Sequence, residues 1–173
     1  MADPSLFDPI RIPTQALIAL DNRPLHFALQ PYHYLVRLIH IVSMGAFFGG
    51  IALLDLRLLG WRGAVPLRAF AESVLPWLYA TFGVVVLTGI LLFLYDPVHV
   101  GAHAYFAPKL ALIALAMANA LLFHRTSYLA ALASERVTPL SARLAGAVSL
   151  LLWAAVVVCS SLNVEPAPKV LLR

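Results

Sequence analysis

The sequence predicts an all-α integral membrane protein, a four-transmembrane-helix bundle with a short N-terminal arm. Three observations carry this. The chain has 173 residues, 62% hydrophobic and 12% charged, with a mean hydropathy of +0.88. A soluble domain is about one-quarter charged and about half apolar, so the bilayer must be the solvent here. The apolar residues also fall into four long runs, each near the roughly 20 residues that cross a bilayer. Finally, most arginines outside the arm collect between those runs, where membrane orientation needs them.

Residues 1–31 read as the arm and residues 32–173 as one transmembrane domain, with spans near 32–54, 73–95, 108–133 and 140–164. Pro4, Pro9, Pro13, Pro24 and Pro31 forbid one long helix in the arm. Thr14–Leu20 has room for two helical turns, too short to span, and suits an interfacial segment or a cap on the bundle. The opening MADPSLFD carries two aspartates and no Lys or Arg, so it does not read as a cleavable signal peptide. The first span is expected to insert as it stands.

The organising stretch is Tyr34–Gly60, within and just beyond span one. Its Gly45-x-x-x-Gly49 step predicts close helix packing. At helical spacing His33, Arg37, His40, Met44, Phe47, Ile51 and Asp55 share one stripe, which should face the bundle interior. Span two, from Ser73 to Tyr95, is uncharged, places Pro76 in its first turn, and has Gly83, Gly89, Thr81 and Thr88 as a small-residue face. The next connection, from Asp96 to Ala107, reads as a loop bearing His99 and His103. Span three begins at Pro108-Lys109, holds Asn119, and runs on as helix to about Ala133. Thr138-Pro139 signals the start of span four. Cys159 lies inside that span, which suits a buried structural thiol.

Arg57, Arg62 and Arg68 sit in the first connection between spans and Arg125, Arg136 and Arg143 in the third. The second has neither Lys nor Arg, although Arg11, Arg23 and Arg37 of the arm and first span reduce the contrast. The positive-inside rule then places the arginine-rich connections in the cytoplasm of a bacterial cell, the chain in the inner membrane, and both termini in the periplasm. The net charge of +4 is thus a topology signal, with no nucleic acid implied.

Two polar layers follow. The outer one holds His40, His99, His103 and Lys109. His40 is an ionisable residue inside the hydrocarbon, a functional position by default. Its chemistry suits an axial ligand of haem b or a related porphyrin, with His99 or His103 as the second ligand. A plain interhelical hydrogen bond is the competing reading. His99-x-x-x-His103 has metal-ligand spacing on a helix, but Asp96-Pro97 and Gly101 favour a loop. His26 and His33 read as interfacial side chains and Met44 as packing. The inner layer holds Asp55, Arg57 and His124, expected as a structural lock between spans one and three.

The pattern His40, Gly45-x-x-x-Gly49-Gly50, Asp55-Leu56-Arg57-Leu58-Leu59-Gly60 resembles a widespread, uncharacterised bacterial family of four-helix membrane proteins. Leu75-Pro76-Trp77, Thr88-Gly89-x-x-Leu92-Phe93, Asp96-Pro97, Lys109 and Asn119-x-x-Leu122-Phe123-His124 extend the resemblance over roughly residues 34–125. More distantly, the first-span His and third-span Lys are similar to CopD-like copper-resistance domains and HemJ-type protoporphyrinogen oxidases, which are haem-associated. That resemblance implies His40 and Lys109 as a functional pair. Phe47-Phe48 stands where those proteins carry a Trp before the Gly-Gly step.

The expected function is electron transfer through haem b near the periplasmic face. His40 is the axial ligand there, Lys109 pairs with a propionate, and a quinone or periplasmic redox protein is the partner. A metal-ion path lined by His40, Met44, His33 and the outer-loop His99 and His103, copper among its cargoes, is one alternative. A structural subunit docking a partner is the other.

Overall fold

A computed structural model describes residues 10–61, 65–133 and 138–164. The arm folds as two short helices, α1 (Thr14–Leu20) and α2 (Arg23–Leu29), and a 3-10 turn, Gln30–Tyr32. Then come α3 (His33–Leu58), α4 (Leu67–Tyr95), α5 (Pro97–Gly101), α6 (Phe106–Thr126), α7 (Tyr128–Ala133) and α8 (Leu140–Val164). The helices α3, α4, α6 and α8 are long and apolar enough to cross a membrane. No strand occurs among the described residues. The chain is therefore an all-α, multi-pass membrane bundle. The bundle has an arm end, which carries α1, α2 and α5, and a far end opposite it.

In the bundle α3 lies between α4 and α8, and α8 in turn packs along α6. The remaining pair, α4 and α6, shares no extended interface. At the arm end they meet where Phe93 stacks on Phe106, ring centroids 5.3 Å apart. At the far end α7 reaches across to α4. The core is pinned by Phe47, Phe82 and Trp153, from α3, α4 and α8, with centroid separations of 5.2, 4.8 and 6.2 Å. Offset and edge-on pairs of this kind contribute about 0.5–1.5 kcal/mol each beyond their buried area.

The close helix packing falls on other glycines than the Gly45-x-x-x-Gly49 step suggests. Neither of those two has an atom near the place of a Cβ, so both face outward. Gly50 takes the contact instead: a Cβ there would meet Leu78 of α4 at 2.9 Å. On α8, a Cβ at Gly146 would meet Leu58 at 3.0 Å and the Asp55 carbonyl at 3.1 Å.

Element boundaries also move. The helix of span two begins at Leu67, not Ser73, so Pro76 lies well inside it. Pro66 starts the helix and an Arg68–Glu72 ion pair of 2.9 Å lies along its first turns. Membrane helices tolerate interior proline because neighbours satisfy the freed carbonyl. Span three does not run unbroken to Ala133. It stops at Thr126, with Ser127 at φ −125° between α6 and α7. The Ser127 hydroxyl donates to Ser141 of α8 at 2.9 Å, and this side-chain bond fixes the corner.

The arm is a cap. Leu17, 1% exposed, packs against α5, where a methyl group on Gly101 would collide with it. His26 and His33 stack on either side of Tyr95, with centroids 4.4 and 4.6 Å away. His26 Nδ1 donates to the Tyr95 carbonyl at 2.7 Å, satisfying a terminal acceptor of α4. These two histidines hold the arm to the bundle.

Candidate functional site: two polar layers in the bundle

At the arm end, α3 presents His40 to α4. Its Nδ1 lies 2.8 Å from the Thr88 hydroxyl. Thr88 gives its own proton to the Val84 carbonyl at 2.6 Å, so it accepts from His40. In that arrangement Nδ1 carries the proton, and Thr88 makes no use of the Nε2 lone pair. Gly89 makes room for the ring: a Cβ there would sit 3.2 Å from His40 Cε1. Lys109 of α6 interacts electrostatically with His40, and its ammonium lies 5.1 Å from the Phe106 ring centroid. Cys159 of α8, half-buried, lies near the same lysine.

His99 and His103 take a different place. The stretch that reads as a loop forms the short helix α5, because the Asp96 carboxylate accepts from His99 N at 3.1 Å and caps it. The two rings pack edge to face, centroids 4.9 Å apart, and His103 Nδ1 points to the Val100 carbonyl at 3.3 Å. The structure therefore brings His99 to His103, and brings His40 to Thr88 and Lys109. Among the described residues no group of three or more His, Cys, Asp or Glu side chains is placed to share a metal ion.

At the far end the expected lock between spans one and three is rearranged. Asp55 is 2% exposed and hydrogen-bonds Ser149 of α8, not a residue of α6. Arg57 turns away: its guanidinium sits 5.6 Å from the Phe70 centroid and donates to the Val65 carbonyl. His124 stacks on Tyr128 at 4.3 Å. Asp55 is paired with neither Arg57 nor His124 among the described residues, and its Oδ2 has no hydrogen-bond partner. The reason is geometric. Gly146 lets α8 lie directly on the Asp55 backbone, so α8 occupies the place next to the carboxyl. The α6–α8 contact has its own bond, Asn119 Nδ2 donating to the Ala145 carbonyl at 3.0 Å.

Asp55, Ser149, Asn119 and His124 line one cavity of about 140 Å³. Tyr79 and Tyr128 stand at its far-end side. Burial, with the Tyr79 phenol and the Glu72 carboxylate nearby, pushes the Tyr128 phenol above its ordinary range, so it is a neutral donor at pH 7.

Sequence reasoning found His40, Lys109 and Asp55 but missed their partners. Thr88 read as one more small residue, although a Thr-Gly pair on an apolar helix is a place for a polar side chain to approach. Ser149 carried no signal at all. No protein-family model matches the chain, and no curated protein or solved structure does either.

Proposed function

We propose that this protein is a bacterial inner-membrane redox protein that holds haem b, or a related porphyrin, on His40 near its arm end. The observation that supports the reading is the 2.8 Å hydrogen bond between His40 Nδ1 and the Thr88 hydroxyl. A histidine that ligates iron through Nε2 keeps Nδ1–H in a second hydrogen bond, which fixes the ring and raises its basicity. Thr88 gives His40 that bond. A single histidine holds the iron in several haem proteins, so His40 alone would hold a bound haem. The reading therefore no longer needs His99 or His103, whose rings are engaged with each other. Lys109, on α6, is the cation for a propionate. A bound haem supplies one-electron chemistry, and the chain supplies orientation and charge. A quinone or a periplasmic redox protein is the electron partner, with the arm end in the periplasm.

The test is the visible spectrum of detergent-purified protein expressed with ample haem, oxidised and then dithionite-reduced. Wild type should show a Soret band that shifts on adding carbon monoxide to the reduced form. His40→Ala should be colourless. Thr88→Val should hold haem about 10–100-fold more weakly, the usual cost of losing such an outer partner. A colourless wild type sinks the reading.

That outcome would leave a structural subunit, a second reading with its own support. Each polar layer also joins helices: His40 to Thr88, Asp55 to Ser149, Asn119 to Ala145 and Ser127 to Ser141.

A further inference from the structure

The far-end cavity is separate from His40, which is not among its lining residues. Its back is formed by α3 and α8. Tyr79 on α4, and Ala120 and His124 on α6, line it and are also exposed. It therefore opens sideways between α4 and α6, onto the face that the bilayer covers. Deep inside lies Asp55, 2% exposed, with Oδ2 unpartnered.

A carboxyl in an apolar interior is costly unless a cation or a hydrogen-bond donor meets it. The chain offers little: Ser149 binds the carboxyl, Arg57 is turned onto Phe70, and His124 onto Tyr128. The wall toward the arm end is aromatic. Asp55 and Phe47 are eight positions apart on α3, which is about 12 Å along the helix. The cavity thus has an acidic end and an aromatic end.

We propose that this cavity binds an amphiphilic primary amine entering from the bilayer, its ammonium on Asp55 and its apolar body against Phe47, Phe82 and Trp153. The size fits, since an enclosed apolar cavity of about 150 Å³ takes one benzene-sized ring. A longer tail leaves through the gap between α4 and α6. Ser149 and Asn119 carry oxygens that can accept the remaining ammonium protons.

The test is calorimetric titration of the full chain in detergent micelles with 4-phenylbutylammonium and its uncharged counterpart 4-phenylbutanol. Both carry one ring and a four-carbon stem, so the difference between them reads charge recognition. The amine should bind at least about tenfold more tightly, the usual worth of a charged hydrogen bond over a neutral one. Asp55→Asn should remove that preference. Ala120→Phe, which fills the opening without touching Asp55, should weaken both ligands. Equal binding of alcohol and amine by wild type overturns the proposal, as does no binding of either. Preference kept in Asp55→Asn, or unaltered binding in Ala120→Phe, overturns it too. If Asp55→Asn fails to hold its helical circular dichroism, the wild-type and Ala120→Phe titrations decide. None of these readings depends on haem, so the two proposals stand or fall separately.

Discussion

Gly146 shows how much one missing side chain does. The Asp55 carbonyl and the Leu58 Cβ stand 3.1 and 3.0 Å from where its Cβ would be. A backbone carbonyl cannot rotate away as a side chain can. Gly146→Ala should therefore push α8 off α3 and cost about 1–3 kcal/mol, the range for overpacking a tight contact. Gly49→Ala is the matched control. Nothing lies within 4 Å of its Cβ position, so its stability should stay within about 0.5 kcal/mol of wild type. Denaturant titration in mixed micelles checks both. At this scale the sequence is a poor guide. The spacing of Gly45 and Gly49 carries a recognisable packing pattern, yet the glycines that make contact are Gly50, Gly89, Gly101 and Gly146. Which glycine meets a neighbour depends on helix rotation, and that is set by all the side chains of the stripe together. His40 and Asp55 were legible because an ionisable group in hydrocarbon is expensive wherever it points. Thr88 and Ser149 were not, since small hydroxyls can bond back to their own helix and need no partner.

At the scale of elements, hydropathy located all four spans, because length and apolar composition are local properties. Their ends moved where a long-range contact or a capping side chain decided them. Ser127 breaks the third span through Ser141, fourteen positions away, and Asp96 turns an apparent loop into α5. The pairing of helices was harder still. Asp55 and His124 lie at similar depth, so a bond between α3 and α6 was the natural expectation. Asp55 instead meets Ser149 of α8 and His124 stacks on Tyr128 of α7, which no periodicity can reveal. Asn119 makes this testable. Its amide donates to the Ala145 carbonyl and joins α6 to α8. Asn119→Leu keeps the size and removes the bond. The cost should be about 0.6 kcal/mol and at most about 1.7, as for other interhelical bonds within membranes. A cost above about 3 kcal/mol in the same unfolding assay would mean that Asn119 does more than join two helices.

At the scale of the whole molecule, the helix order puts Arg57, Arg68, Arg125 and Arg143 at the far end, where α3 and α6 finish and α4 and α8 begin. Arg11, Arg23, Arg37 and Lys109 lie toward the arm end. The two ends are therefore closer in positive charge among the described residues than the connections alone suggest. What separates them is what each charge does. Lys109 lies against the Phe106 ring and interacts with His40 inside the bundle, so it is not a free surface cation. Arg125 and Arg143 are exposed at helix ends, and Arg68 is exposed on the first turn of α4. Charges in short connections near span ends dominate insertion. The far end should accordingly face the cytoplasm. Single cysteines at two exposed positions, Ala102→Cys beside α5 and Val65→Cys before α4, in a Cys159→Ala background, decide it. In intact cells with a permeable outer membrane, a charged thiol reagent should label the first and reach the second only after lysis. The reverse pattern would put His40 on the cytoplasmic side, and a periplasmic electron partner would then have no route to it.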